Sequence, residues 1–185
     1  MLNLNQPGLS LVLAAALSSA ITIYAGSARA AEVKPEEIIV ASTIPTTERD
    51  AELDAARAFY DFWNTDDAAF LKRAVADDFT DHTLPPGRPQ GPQGPLFASH
   101  IFRAAVPDLK VTVHKMIVAG PYVTVHMNFT GHFTGTFGSV SGDGQPVSFI
   151  AIDLLRMRNG RITDNWHIED NLNFLQQMGI TTVKK

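Results

Sequence analysis

Residues 147–168 read VSFIAIDLLRMRNGRITDNWHI, and this stretch decides the fold. Val147 to Met157 is long and rich in branched and aromatic side chains, Asn159-Gly160 is a turn signal, and Arg161 to Ile168 is a second strand. The alternation continues upstream. Val123, Val125, Met127 and Phe129 alternate with Thr124, His126, Asn128 and Thr130, and Leu109, Val111 and Val113 share one face of a further strand. Ala119-Gly120-Pro121 joins those two strands, and Phe133, Phe137 and Val140 sit in a Gly-rich ribbon.

Before residue 107 the period changes to that of a helix. Leu53, Ala56, Tyr60 and Trp63 recur at three- and four-residue steps, widened by Phe59 and Phe62. Residues 64–67, Asn-Thr-Asp-Asp, stop that helix and cap a second, whose apolar face is Phe70, Leu71, Ala74 and Val75. Phe79 to Thr83 is a short extended piece. Leu84 to Pro95 carries five prolines and three glycines, which excludes helix and interior strand and predicts a rigid surface loop. Pro95 suits the first turn of a third helix, with Phe97, Ile101, Ala104 and Ala105 as its expected buried stripe. A short helix is expected over Asp170 to Met178. Helices followed by antiparallel strands predict an α+β domain.

The first thirty residues read as an export signal. Leu11 to Ala25 is mostly apolar and uncharged, and Ala28 and Ala30 fit the small-residue subsites of signal peptidase, which predicts a cut after Ala30. The first ten residues carry no Lys or Arg, and an uncleaved N-terminal anchor is the alternative. The mature chain is expected in the periplasm or outside the cell, free of the membrane. Residues 31–46 read as an extended tether, 47–180 as one domain and 181–185 as a tail. The chain has 15 basic and 19 acidic residues, and loss of Arg29 takes the net charge from −4 to −5. No basic cluster suggests a nucleic-acid partner. With no cysteine, thiol catalysis, disulfides and thiolate-bound metals are excluded.

The order of several short motifs resembles a known family. They are Ala58-Phe59-Tyr60-Asp61-Phe62-Trp63-Asn64-Thr65, Asp81-His82, Gly131-His132-Phe133-Thr134-Gly135, the run Asp153 to Ile162, and Trp166 through Asp170 to Gly179. Together they resemble the SnoaL-like polyketide cyclase or ester cyclase family of the NTF2-like superfamily. The resemblance implies a cone in which three N-terminal helices pack into a curved antiparallel sheet, and a homodimer through the convex sheet face. It also implies a small apolar ligand and cofactor-free, metal-free removal of a proton next to a carbonyl, with ring closure by aldol condensation. The family's acid/base aspartate on the last strand falls at His167, and a histidine of the preceding strand falls at Asp153, so the two residue types are exchanged here.

Turn geometry governs whether Asp153 and His167 meet. A two-residue loop at Asn159-Gly160 pairs Arg158 with Arg161, sets Asp153 opposite Trp166 and turns His167 to the other face. A three-residue loop with a Gly160 bulge pairs Met157 with Arg161 and makes Asp153 and His167 diagonal neighbours on one face. The second arrangement is the expected one, because it also places Ile152 beside Trp166. His167 is then the candidate general base and Asp153 its orienting partner, against the alternative of a structural polar pair. Other candidates for ligand contact are His82, Trp63, Phe102, Trp166, Asp170 and His126. Each has a plainer reading: loop capping for His82, core packing for the three aromatics, a helix N-cap for Asp170, and an outward sheet face for His126. Arg103 could meet an anion but reads more simply as a solvated helix position. His126 and His132 are too far apart for a zinc pair, Ser139 and Ser141 have no nearby base, and residues 131–144 lack the lysine of a phosphate loop. A non-catalytic binding protein, or a hydrolase or isomerase using the same pocket, are the alternative functions.

Overall fold

The structure is a computed structural model that describes residues 33–182. The expected signal segment and its cut after Ala30 lie outside the described residues. The elements run β1 (Glu37–Val40), α1 (Thr46–Thr65), α2 (Ala68–Ala74), β2 (Val75–Asp81), α3 (Gln93–Ala105), β3 (Lys110–Ala119), β4 (Tyr122–Phe133), β5 (Thr136–Phe137), β6 (Val140–Ser141), β7 (Gln145–Arg158), β8 (Arg161–Glu169) and α4 (Asn171–Gln177). Six strands form one curved sheet in the order β1-β3-β4-β7-β8-β2, and β5 and β6 form a small hairpin beside it.

The central strands are antiparallel, but both edges are parallel: β1 pairs with β3 and β2 with β8. The sheet is therefore mixed where an antiparallel one was expected. Within the stretch read as a tether, residues 37–40 form the edge strand β1, and Val33 donates its backbone N–H to Asp61 Oδ1 at 2.8 Å.

Helix α1 lies against β3, β4 and β8. Its inner face carries Leu53, Ala56, Phe59, Tyr60 and Phe62, all buried. The helix ends on Asp66 in the left-handed conformation, φ 59°, and Asp67 caps α2 by accepting from Ala69 N–H at 2.9 Å.

Helix α3 is turned differently from the expected stripe. Its buried residues are Gly94, Pro95, Ala98, Ser99 and Ala105, while Phe97 and Ile101 are each 44% exposed and Ala104 faces solvent. Phe102 of this helix packs with the rings of Trp63 and Phe149 and fills the interior there, so the residues that face inward around it are small.

The final hairpin combines features of both expected geometries. Asn159 (φ 54°) and Gly160 (φ 68°) form a two-residue turn with positive φ at both positions, and Arg158 pairs with Arg161. One step later the register shifts: Met157 pairs with Ile162, but Arg156 pairs with Asp164. Thr163 is the extra residue of a bulge, and Ile162 and Thr163 are both buried. The bulge inverts the alternation from there on, so Asp153 stands directly opposite His167 and Trp166 opposite Leu154. The expected diagonal pairing is thus replaced by a direct one, and the bulge lies in the strand instead of at Gly160.

Gly135 has no room for a side chain. A Cβ there would lie 1.9 Å from the Ala104 carbonyl oxygen, at the end of α3. Gly135→Ala is expected to cost about 1–3 kcal/mol through overpacking, read as a lower urea midpoint. An unchanged midpoint would show that the α3–β5 contact is looser than described.

Candidate functional site

The inward residues of β7 and β8 face a narrow hollow. Phe59, Trp63, Phe79, Phe102, Phe129 and Phe149 form most of its apolar wall, and its polar residues are Asp81, Arg88, Asp153, Asn165, His167 and Glu169. The aromatic side is fixed by ring contacts: Trp63 meets Phe102 and Phe129 edge-on at 6.1 and 5.6 Å, and Phe129 stacks on Phe149 at 5.1 Å.

His167 is buried and held at three points. Its ring Nδ1 lies 2.7 Å from Glu169 Oε1, its Nε2 lies 3.0 Å from Asp81 Oδ2, and its backbone N–H donates to Thr83 Oγ1 at 2.9 Å. Burial alone would lower the imidazole pKa, but the hydrogen bonds to Asp81 and Glu169 outweigh it and raise the value to about 10. At neutral pH the ring is an imidazolium whose two N–H groups both donate to carboxylates. Burial pushes Asp81 and Glu169 upward in turn, yet the bonds from His167 leave both below their ordinary values.

Asp153 is also buried, and Tyr60 Oη donates to its Oδ2 at 2.7 Å. Burial raises its pKa to about 6, against the lowering effect of the Tyr60 bond, the His167 charge and the Asn165 amide. Burial also lifts the Tyr60 hydroxyl well above its ordinary range, so it remains a donor. The Oδ1 of Asn165 is buried with no hydrogen-bond partner.

The Pro-rich loop delivers the remaining cation. Gln90 grips the end of β2 twice: its Oε1 accepts from Asp81 N–H at 2.8 Å and its Nε2 donates to the Asp81 carbonyl at 2.9 Å. This pins the loop so that Arg88 points into the site, 3.9 Å from Asp81 Oδ2.

The structure separates the expected site residues into two groups. Asp153, His167, Trp63 and Phe102 line the hollow. The expected orienting role of Asp153 is not what holds the imidazole, since the carboxylates bonded to His167 are Asp81 and Glu169. His82 and Trp166 lie outside the hollow's lining. They stack on one another at 4.3 Å, and His82 Nε2 lies 2.7 Å from Asp164 Oδ1, because the bulge turns Asp164 and Trp166 to the opposite sheet face from Asn165 and His167. His126 occupies that outer face too, with its ring 5.3 Å from His114. Asp170 caps α4 by accepting from Asn173 N–H at 3.1 Å. Arg103 donates to the Trp63 and Pro107 carbonyls and joins α3 to the end of α1.

Tyr60, Asn165, Arg88, Asp81 and Glu169 were not among the candidates. Glu169 had a readable signal, since it lies two residues from His167 on one strand and so shares its face. Asp81 reaches His167 only through the parallel pairing of β2 with β8, which no local pattern announces.

The clamp makes stability depend on pH in a defined direction. The folded imidazolium keeps its proton to about 10, whereas an unfolded histidine loses it near 6.5. The stabilising contribution is therefore complete below 6.5 and falls away as pH rises toward 10. In His167→Gln that part of the pH slope should vanish, and stability at pH 7 should drop by on the order of 3 kcal/mol, because a buried and a half-buried carboxylate lose their cation. Urea unfolding of both proteins at pH 6, 8 and 10 checks this; equal slopes would contradict the clamp.

The family model of the SnoaL-like polyketide cyclases matches residues 53–178. No curated protein sequence matches this chain. A solved structure from Bacillus cereus ATCC 10987, assigned as a polyketide cyclase, is 35% identical with a TM-score of 0.74, over 81% of this chain and 95% of that one. IdmH from Streptomyces antibioticus, also assigned as a polyketide cyclase, is 28% identical with a TM-score of 0.63, over 69% of this chain and 98% of that one. A Catenulispora acidiphila DSM 44928 protein with a ketosteroid isomerase-like fold, solved with trimethylamine, is 22% identical with a TM-score of 0.55, over 69% and 94%. By the match over most of its length, this chain belongs to the SnoaL-like polyketide cyclase family and has the NTF2-like fold.

Proposed function

We propose that this protein is a cofactor-free acid/base enzyme that removes a proton next to the carbonyl of a small apolar compound, with Asp153 as the base. One observation carries the reading: a buried carboxyl with a pKa of about 6 lies at the polar end of an aromatic-walled hollow, one oxygen held by Tyr60. A base serves best when its pKa lies close to the working pH. His167, with both ring N–H groups engaged and its proton held to about 10, is a fixed positive charge instead of the base.

The chemistry follows from that assignment. Asp153 takes the proton from the carbon next to the carbonyl, and the C–H electron pair becomes an enolate. The imidazolium of His167 and the guanidinium of Arg88 offset the negative charge as it develops. The enolate carbon attacks a second carbonyl of the same molecule, a C–C bond closes the ring, and the new alkoxide takes the proton back from Asp153.

Hydrogen–deuterium exchange at the methyl group of acetophenone, followed by NMR, tests the first step without the natural substrate. The protein-catalysed rate should rise with pH through about 6, as Asp153 ionises, and fall 10²–10⁴-fold in Asp153→Asn. That variant should melt at pH 8 no lower than the wild type, because it removes a buried negative charge while an amide oxygen still accepts from Tyr60. Acetophenone bound without exchange, or with exchange untouched by Asp153→Asn, would indicate a binding protein instead.

A further inference from the structure

Helix α3 turns two of its large apolar side chains outward. Phe97 and Ile101, one turn apart, stand 44% exposed, while Phe102 and the small residues Gly94 and Ala98 face inward. Beside them Pro85 and Pro86 of the Pro-rich loop, Phe137 of β5 and Leu175 of α4 complete an open apolar groove of about 890 Å3, counting solvent at its mouth. Exposed apolar area of this kind is unfavourable unless something covers it during function.

The groove adjoins the site already described. Arg88 and Phe102 belong to the walls of both the groove and the inner hollow. The two spaces thus share one cationic side chain, 3.9 Å from Asp81, and one aromatic ring. The inner hollow by itself is narrow, and its polar residues cluster around His167.

From these shared walls we propose that the groove is a second subsite, joined to the hollow when the Arg88 side chain moves aside, which takes the alkyl or aryl tail of an elongated ligand whose carbonyl end lies against Asp153. The inference rests on the proton-transfer reading above and specifies its substrate class: an amphipathic molecule longer than the hollow, with its polar functions at one end.

Calorimetric titration with phenyl alkyl ketones from acetophenone to octanophenone, and with the matching alkylbenzenes, tests it. In the wild type, affinity should rise about two- to fourfold per methylene until the groove is filled. A Phe97→Ser/Ile101→Ser double variant alters only exposed positions. It should flatten that rise, losing more than tenfold for octanophenone and leaving acetophenone unchanged. The same slope in both proteins, or no slope in the wild type, overturns the subsite while acetophenone exchange through Asp153 stands on its own. Ketones binding no better than alkylbenzenes, with the slope lost in the double variant, would uphold the subsite and sink the carbonyl reading. Unchanged slopes together with loss of binding to phosphatidylcholine vesicles would assign the patch to a membrane surface and overturn the proposal.

Discussion

The clamp of His167 between Asp81 and Glu169 is the interaction on which the site depends. Moving a carboxylate out of water costs several kcal/mol even after the protein relaxes, and this site gathers two buried ones, Asp81 and Asp153, and the half-buried Glu169. An imidazolium with two N–H donors on opposite edges of a planar ring can satisfy two of them at once. It thereby ties the end of β2, where Asp81 begins the Pro-rich loop, to β8, where Glu169 precedes α4. The third carboxylate, Asp153, is left with the Tyr60 hydroxyl, the Asn165 amide and a neighbouring positive charge but no ion pair of its own, and it is the one of the three whose pKa rises.

Two titratable groups on facing strands are thus pushed apart, Asp153 to about 6 and His167 to about 10. Such divergence within one pocket separates the group that exchanges a proton from the group that supplies fixed charge. The bulge at Thr163 makes it possible. Without that extra residue, the two-residue turn would send His167 and Asn165 to the outer face, and the hollow would lose its polar end.

Much of the fold was legible because it is written in period. Alternation marked β3, β4, β7 and β8, three- and four-residue spacing marked α1 and α2, and Asn159-Gly160 marked the turn. The register of the final hairpin was not legible, since Ile162-Thr163 has no composition that distinguishes a bulge from regular strand. The face of α3 is not legible for a different reason: size suggests burial, whereas Phe102 of the same helix, with Trp63 and Phe149, fills the adjacent interior and leaves room around it for small residues. Of the site, Asp153 and His167 could be found from the hairpin, but their true partners come from elsewhere. Tyr60 looked like one more residue of a helical stripe, Asp81 arrives through a non-local parallel pairing, and Arg88 arrives through a loop whose prolines said only that it was rigid.

The chemistry of the site turns on the proton count of a single ring. Long-range 1H–15N correlation spectra of the folded protein at pH 8, with His167 assigned through His167→Gln, read that count directly. Both ring nitrogens of His167 should show the shifts of N–H groups, as an imidazolium requires, with no change of form until well above pH 9. A neutral tautomer at pH 8, with one nitrogen bare, would return the imidazole to the role of base and remove the reason for assigning that role to Asp153.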